Sequence, residues 1–406
     1  MQGVQRPTEE RELAHLVAEA ARTRLPLEIA GTGSKRRVGR PMDVAGVITT
    51  RNLRGITLTE PTELVISARA GTLLSAIESE LAKHNQQLAA EPLDLGPLLG
   101  EAPGQATVGG IVATNLSGAR RVQRGAVRDH LLGIRCVNGR GEVIKWGGRV
   151  MKNVTGYDLC RTLAGSWGTL GILTEVTLRA IPKAEETRTL VLVDQPDAIA
   201  VEAMCQAIGT PYEVSGTVHL QAALAARLRS PTLAGARGAI TALRIEHFSP
   251  AVAYRAEKLK SLFMPYGELI ELDHAASLQF WEELRQLSFL QGTRDPVWRI
   301  STAPGMGPRL VESVGRYREC RAAYDWSGGL IWLEVPDQGD AGSDDIRRVV
   351  ATLGGHATLV RAETQVRRTV DVFPPLEAGV RQLGRGLKAA FDPLGILNPG
   401  RMYPDQ

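Results

Sequence analysis

Ile29–Gly39 reads IAGTGSKRRVG, and it follows LPLE, a short apolar lead-in that reads with it as a strand running into a glycine loop. Consecutive backbone N–H groups in a glycine-permissive turn form an anion-binding nest. Thr32 and Ser34 add hydroxyl donors, and Lys35 with Arg36 adds positive charge. The loop is a candidate phosphate cradle, with a plain surface turn as the competing reading. A nucleoside-triphosphate P-loop is excluded, because Lys35 comes four residues after Gly31 and is followed by Arg36. A Rossmann turn is excluded too: the third glycine position of G-x-G-x-x-G holds Arg36, and no βαβ unit surrounds it.

Two further segments bear on whose phosphate it is. ATVGGIVATNLSG (106–118) sets Gly109, Gly110 and Gly118 among small residues in a stretch apolar enough to be buried. GYDLCRTLAGSWGTLGILTEV (156–176) repeats the theme with Gly165, Gly168 and Gly171. Glycine at that density marks close approach of backbone to something else. Three such segments fit one large, flat, partly apolar ligand carrying a pyrophosphate, and FAD fits better than a mononucleotide.

Outward from these segments, Thr8 and Thr72 are expected N-caps of amphipathic helices, and NGRG (138–141) marks a hairpin. Alternation in ILTEVTLRAI predicts a strand ending at Pro182. Pro182 and KAEETR give the expected boundary between residues 1–182, with parts of about 1–92 and 93–182, and a second domain over 183–380. There, strand-like and helical runs alternate in a pattern that favours α+β with a mainly antiparallel sheet under helices. Residues 381–406 read as a helix, a turn and an extended tail.

Composition narrows the classes. A net charge of +4 over 406 residues, without basic runs interleaved with aromatics, does not suggest a nucleic-acid binder. No run approaches 18 apolar residues and the N-terminus lacks signal-peptide character, so a cytoplasmic location is expected. Cys136, Cys160, Cys205 and Cys320 are too scattered for a metal cluster and are expected to be buried, inert thiols.

The ordered set AGTGSK, AGT (70–72), ATVGG, AVRDHLLGIRCVNGRGEV, GYDL, LAGSWGTLGILTEVTL and FDPLGILNPGRM resembles FAD-linked oxidases of the vanillyl-alcohol-oxidase or PCMH type, and among them the FAD-binding subunits of bacterial glycolate oxidases. The likeness runs over about 5–182 and 385–402. It implies an α+β chain: a PCMH-type FAD-binding domain in two parts, a cap domain, and a tail returning to the first domain. It implies that Gly31, Thr32, Gly33, Ser34, Lys35 and Arg36 hold the pyrophosphate. Pro103, Thr107, Val108, Gly109 and Gly110 would line the ribityl and diphosphate region, with Asn115 and Gly118 nearby. Gly165, Ser166, Gly171 and Ile172 would approach the adenine half, and Asn398 and Arg401 would return towards the flavin. Two departures stand out. The loop SKRRVG lacks the His to which relatives attach flavin, so FAD is expected to be non-covalent. Trp167 stands where many relatives have Glu.

No catalytic constellation is legible. The seven histidines form no ligand pair, and no metal is expected. His219 and His247 read as structural residues, and Arg244 with Glu246 or Arg361 with Glu363 as surface ion pairs. The resemblance then implies a FAD-binding subunit of a glycolate oxidase that converts glycolate to glyoxylate and passes electrons to the respiratory chain. A related FAD-linked subunit would carry the main substrate site, beside an iron–sulfur subunit, and the complex would reach the membrane's inner face only peripherally. A self-sufficient D-2-hydroxy-acid dehydrogenase, a flavin-free assembly subunit and an enolpyruvyl reductase are the rival readings.

Overall fold

The computed structural model describes residues 3–149, 157–233 and 238–405, in two units. The first unit comprises residues 1–117, 125–183 and 375–406, and the second comprises 118–124 and 184–374. The glycine of GYDL lies outside the described residues.

In the first unit, a three-stranded parallel sheet orders Val4–Gln5, Gly46–Thr49 and Leu27–Ala30. Helix Glu10–Thr23 buries Leu13, Val17 and Ala20, spaced at one helical face, and stops at Arg24 in the left-handed conformation. Thr8 does not cap it: its backbone N–H donates to the Glu12 carboxylate at 2.8 Å, and Glu9 is the cap residue. Thr72 likewise is no cap, because its hydroxyl accepts from the Gly55 N–H at 2.9 Å. The C-terminal tail adds to this sheet, with Leu397 bridging Leu27 in parallel.

The unit's other sheet is antiparallel, in the order Ile56–Glu60, Val65–Arg69, Gly171–Pro182, Leu131–Asn138 and Val143–Gly147. The NGRG turn closes the hairpin between its last two strands, and the Asn138 side chain accepts from the N–H groups of Arg140 and Glu142. Helices Leu74–Ala82 and Val108–Thr114 bury Ile77, Leu81, Ile111 and Val112 in one apolar cluster with Ile66, Ile134 and Val176 from the strands.

The second unit is built on eight antiparallel strands: Leu269–Leu272, Glu186–Val193, Ile240–His247, Val214–Leu220, Arg321–Asp325, Leu330–Glu334, Val297–Ser301 and His356–Arg361. Every residue of the central strand Val214–Leu220 is buried. Both units mix helices with sheets, the α+β class.

Candidate functional site

The strand Leu27–Ala30 delivers the chain into the loop Gly31–Arg36, which forms one wall of a partly open cavity. Thr107, Gly109 and Gly110 form a second wall, Ser166 to Gly168 with Gly171 and Ile172 a third, and Arg401 arrives from the tail. All three glycine segments therefore meet around one space. The N–H groups of Thr32, Gly33, Ser34 and Lys35 donate to no described residue, which leaves a row of donors at the loop. Close approach is built in. A Cβ on Gly31 would sit 2.5 Å from the Thr107 hydroxyl, and one on Gly109 would sit 2.7 Å from the Ala70 Cβ.

Lys35 supplies the charge. It is only 7% exposed and its Nζ has no hydrogen-bond partner among the described residues. Burial pushes its pKa down from 10.5 to about 8, against the opposing pull of Asp94. A buried, unpartnered ammonium is costly. An anion in the cavity would satisfy it, so the donor row and Lys35 together fit a diphosphate. Arg36 differs from the expectation: its guanidinium is held at both ends by the Glu28 carboxylate, which neutralises it within the chain.

The tail is fastened by buried polar contacts. The Ile29 N–H donates to the Asn398 side-chain oxygen at 2.7 Å, while the Asn398 amide donates to the Trp167 carbonyl at 2.8 Å. Trp167 adopts φ +54°, with its N–H on the Ala113 carbonyl, and the Arg401 guanidinium lies 5.5 Å from its ring centre. Arg401 also donates to the Lys35 carbonyl at 3.0 Å. Lys388, buried, donates to Thr169 and Leu397 carbonyls and to Asp392 at 2.7, 2.9 and 2.8 Å.

Several residues singled out from the sequence lie off the cavity wall. Pro103 is exposed, Val108 faces the apolar cluster, and Asn115 ends its helix in the left-handed conformation. Gly165 donates to the Val112 carbonyl, and Asn398 acts through the contacts above. Gly118 belongs to the second unit, where its carbonyl accepts from the Trp326 indole at 3.0 Å. Ile29, Ala70, Thr114 and Trp167 also line the wall; each lies within a segment quoted from the sequence, but spacing does not say which of a segment's side chains face the cavity.

In the second unit His219 is fully buried and satisfied by Thr241 and Asp197. The Arg244–Glu246 pair is not at the surface. Arg244 is 1% exposed, and Glu246, also held by Arg120, has a pKa well below the usual carboxylate range although burial alone would raise it. Arg361 pairs with Glu334 rather than Glu363, because the Glu334 carboxylate lies buried among Arg227, Arg321 and Arg361. The thiols are not all buried: Cys136 and Cys160 are, Cys320 is half-buried and Cys205 is exposed on its helix. Burial raises the pKa of each, Cys136 to about 12. Among the described residues no cluster of metal-ligating side chains occurs, and no helix is long and apolar enough to cross a membrane.

The family described as "FAD binding domain" matches residues 1–147. The glycolate oxidase subunit GlcE of Escherichia coli is 36% identical over 400 residues, spanning 97% of each chain. The glycolate oxidase subunit GlcD of Bacillus subtilis is 26% identical, over 73% of this chain and 68% of its own. Among solved structures, p-cresol methylhydroxylase with substrate bound superposes with a TM-score of 0.73 at 15% identity, covering 99% of this chain and 88% of that one. The fold is thus the PCMH-type FAD-binding fold. The chain belongs to the family of FAD-linked oxidases that contains the glycolate oxidase subunits.

Proposed function

We propose that the chain is the FAD-binding subunit of a multi-subunit glycolate oxidase that converts glycolate to glyoxylate and passes the electrons towards the respiratory chain. Similarity along 97% of both chains to a protein named as a glycolate oxidase subunit carries this reading. The row of donors from Thr32 to Lys35 and the unpartnered Lys35 Nζ would hold the diphosphate, and Gly109, Gly110 and Gly171 would admit the rest of the cofactor by offering no side chain. When bound, FAD supplies the two-electron acceptor. The protein's part is to bind it, to neutralise its charge through Lys35, and to exclude water with the wall from Ser166 to Leu173. Among the described residues, the cavity wall contains no His, Cys or Tyr, the side chains from which a covalent flavin link would start, which supports non-covalent FAD together with the loop SKRRVG, which has no His.

The partners in this reading are a related FAD-linked subunit and an iron–sulfur subunit, in a complex at the inner face of the cytoplasmic membrane. Native affinity purification with cofactor analysis tests it. Stoichiometric FAD released by denaturation and co-purification of the two partner chains are expected. Recovery of a lone chain with full glycolate turnover would overturn the multi-subunit reading.

A further inference from the structure

In the third glycine segment, Gly165 and Gly168 adopt φ +84° and +73°, and Trp167 between them adopts φ +54°. Glycine reaches that left-handed region without steric cost, whereas a bulky side chain there is strained. The strained residue is pinned from both ends. Its N–H donates to the Ala113 carbonyl at 2.9 Å, and its carbonyl accepts from the Asn398 amide at 2.8 Å. Strain of this kind persists only where the surroundings over-determine it, and it collects at ligand clamps. At a position where glycine would fit freely, the sequence places an indole.

Trp167 is 7% exposed and lines the same cavity as the Gly31–Arg36 loop. Among the described residues of that wall it is the only aromatic one; the others are small or aliphatic, apart from Lys35, Arg36 and Arg401. The Arg401 guanidinium lies 5.5 Å from the indole ring centre and donates to the Lys35 carbonyl at 3.0 Å, which ties the ring to the phosphate loop. Aliphatic walls shed water from a flat heteroaromatic ring, but an aromatic side chain adds the attraction of stacked or edge-on π systems beyond the area buried. Glu, which stands here in many of the resembling oxidases, offers no such ring. The contact therefore belongs to this chain's own departure from that pattern.

We propose that Trp167 is an aromatic platform for one of the cofactor's two ring systems, adenine or isoalloxazine, and that it sets how tightly this chain holds its flavin dinucleotide. The proposal rests on the reading of the cavity as an FAD site. Lys35 and the loop donors answer the diphosphate, and the indole answers a ring beside it.

The test titrates the full chain, freed of flavin, with FAD, FMN and ADP by calorimetry, in wild type, Trp167→Leu and Trp167→Phe. Leucine keeps apolar bulk without a ring, and phenylalanine keeps a smaller ring. FAD binding about tenfold weaker or more is expected in Trp167→Leu, the loss of one stacked ring, with Trp167→Phe closer to wild type. Only one half of the cofactor should weaken in Trp167→Leu: ADP if the platform meets adenine, FMN if it meets isoalloxazine. Circular dichroism melts of the apoproteins separate lost binding from lost fold, and Trp167→Met takes the place of Trp167→Leu should the latter not fold. Equal FAD affinity in wild type and in the folded ringless variant would overturn the proposal. So would equal weakening in the ringless variant and Trp167→Phe, or equal weakening of ADP and FMN, since a merely structural residue acts that way. Where neither half binds by itself, the FAD series decides alone. A wild-type chain that takes up no FAD would instead sink the reading of the cavity as an FAD site, and the proposal with it.

Discussion

Lys35 in the first unit is buried with no hydrogen-bond partner for its Nζ among the described residues, whereas Lys388 in the same unit is buried with its three hydrogen bonds made. The difference separates structure from function. Lys388 is satisfied from within the chain: it ties the tail to the Thr169 turn and meets Asp392, which is 1% exposed. Lys35 lines the cavity with its ammonium unanswered, the arrangement an anionic ligand would complete. Stability and binding therefore respond with opposite signs when these groups are removed.

The largest expected effect is at the satisfied site. Lys388→Met leaves the Asp392 carboxylate buried without its ammonium and lowers stability by about 3–5 kcal/mol, read as a fall in Tm. Lys35→Met should act the other way. FAD binding weakens by about 1.5–3 kcal/mol, the loss of a charge-assisted hydrogen bond, while the apoprotein melts higher. A lower apoprotein Tm would break the comparison. Asn398→Ala strands the Ile29 N–H and the Trp167 carbonyl and is expected to cost about 2 kcal/mol, read as a fall in Tm.

A pH series sharpens the case for Lys35. Its pKa is about 8 in the folded apoprotein against 10.5 for the unfolded reference, so between these values the unfolded chain holds more protons. Apoprotein stability should therefore rise with pH over that window, by at most about 1.4 kcal/mol per pH unit. A diphosphate favours the charged form, so FAD affinity should fall as pH rises through about 8. A flat FAD affinity across this range, measured by fluorescence titration, would detach Lys35 from the cofactor. The smallest effect is expected for Trp326→Phe, which keeps an aromatic ring but loses the hydrogen bond to Gly118, about 1 kcal/mol. A thermal melt checks it.

How far the sequence could be read depended on how local the cause was. The phosphate loop was legible because glycine, hydroxyl and lysine stand within six residues, and the NGRG hairpin because turn chemistry is short-range. Helix starts at Thr8 and Thr72 were misplaced because tertiary partners, Glu12 and Gly55, claimed those groups. Arg244 with Glu246 was misread as a surface pair, since spacing cannot tell which strand lies at the centre of a sheet.

By itself, then, the sequence determined the local chemistry: which turns need glycine, where an anion cradle can form, and that the chain mixes helices with antiparallel strands. Only the tertiary structure decided which charges are answered. It neutralised Arg36 with Glu28, sent Gly118 into the second unit, and left the Lys35 Nζ without a partner among the described residues. The reason is physical. The energy of a buried charge depends on what lies within a few ångströms in space, and chain neighbours along the sequence do not fix that.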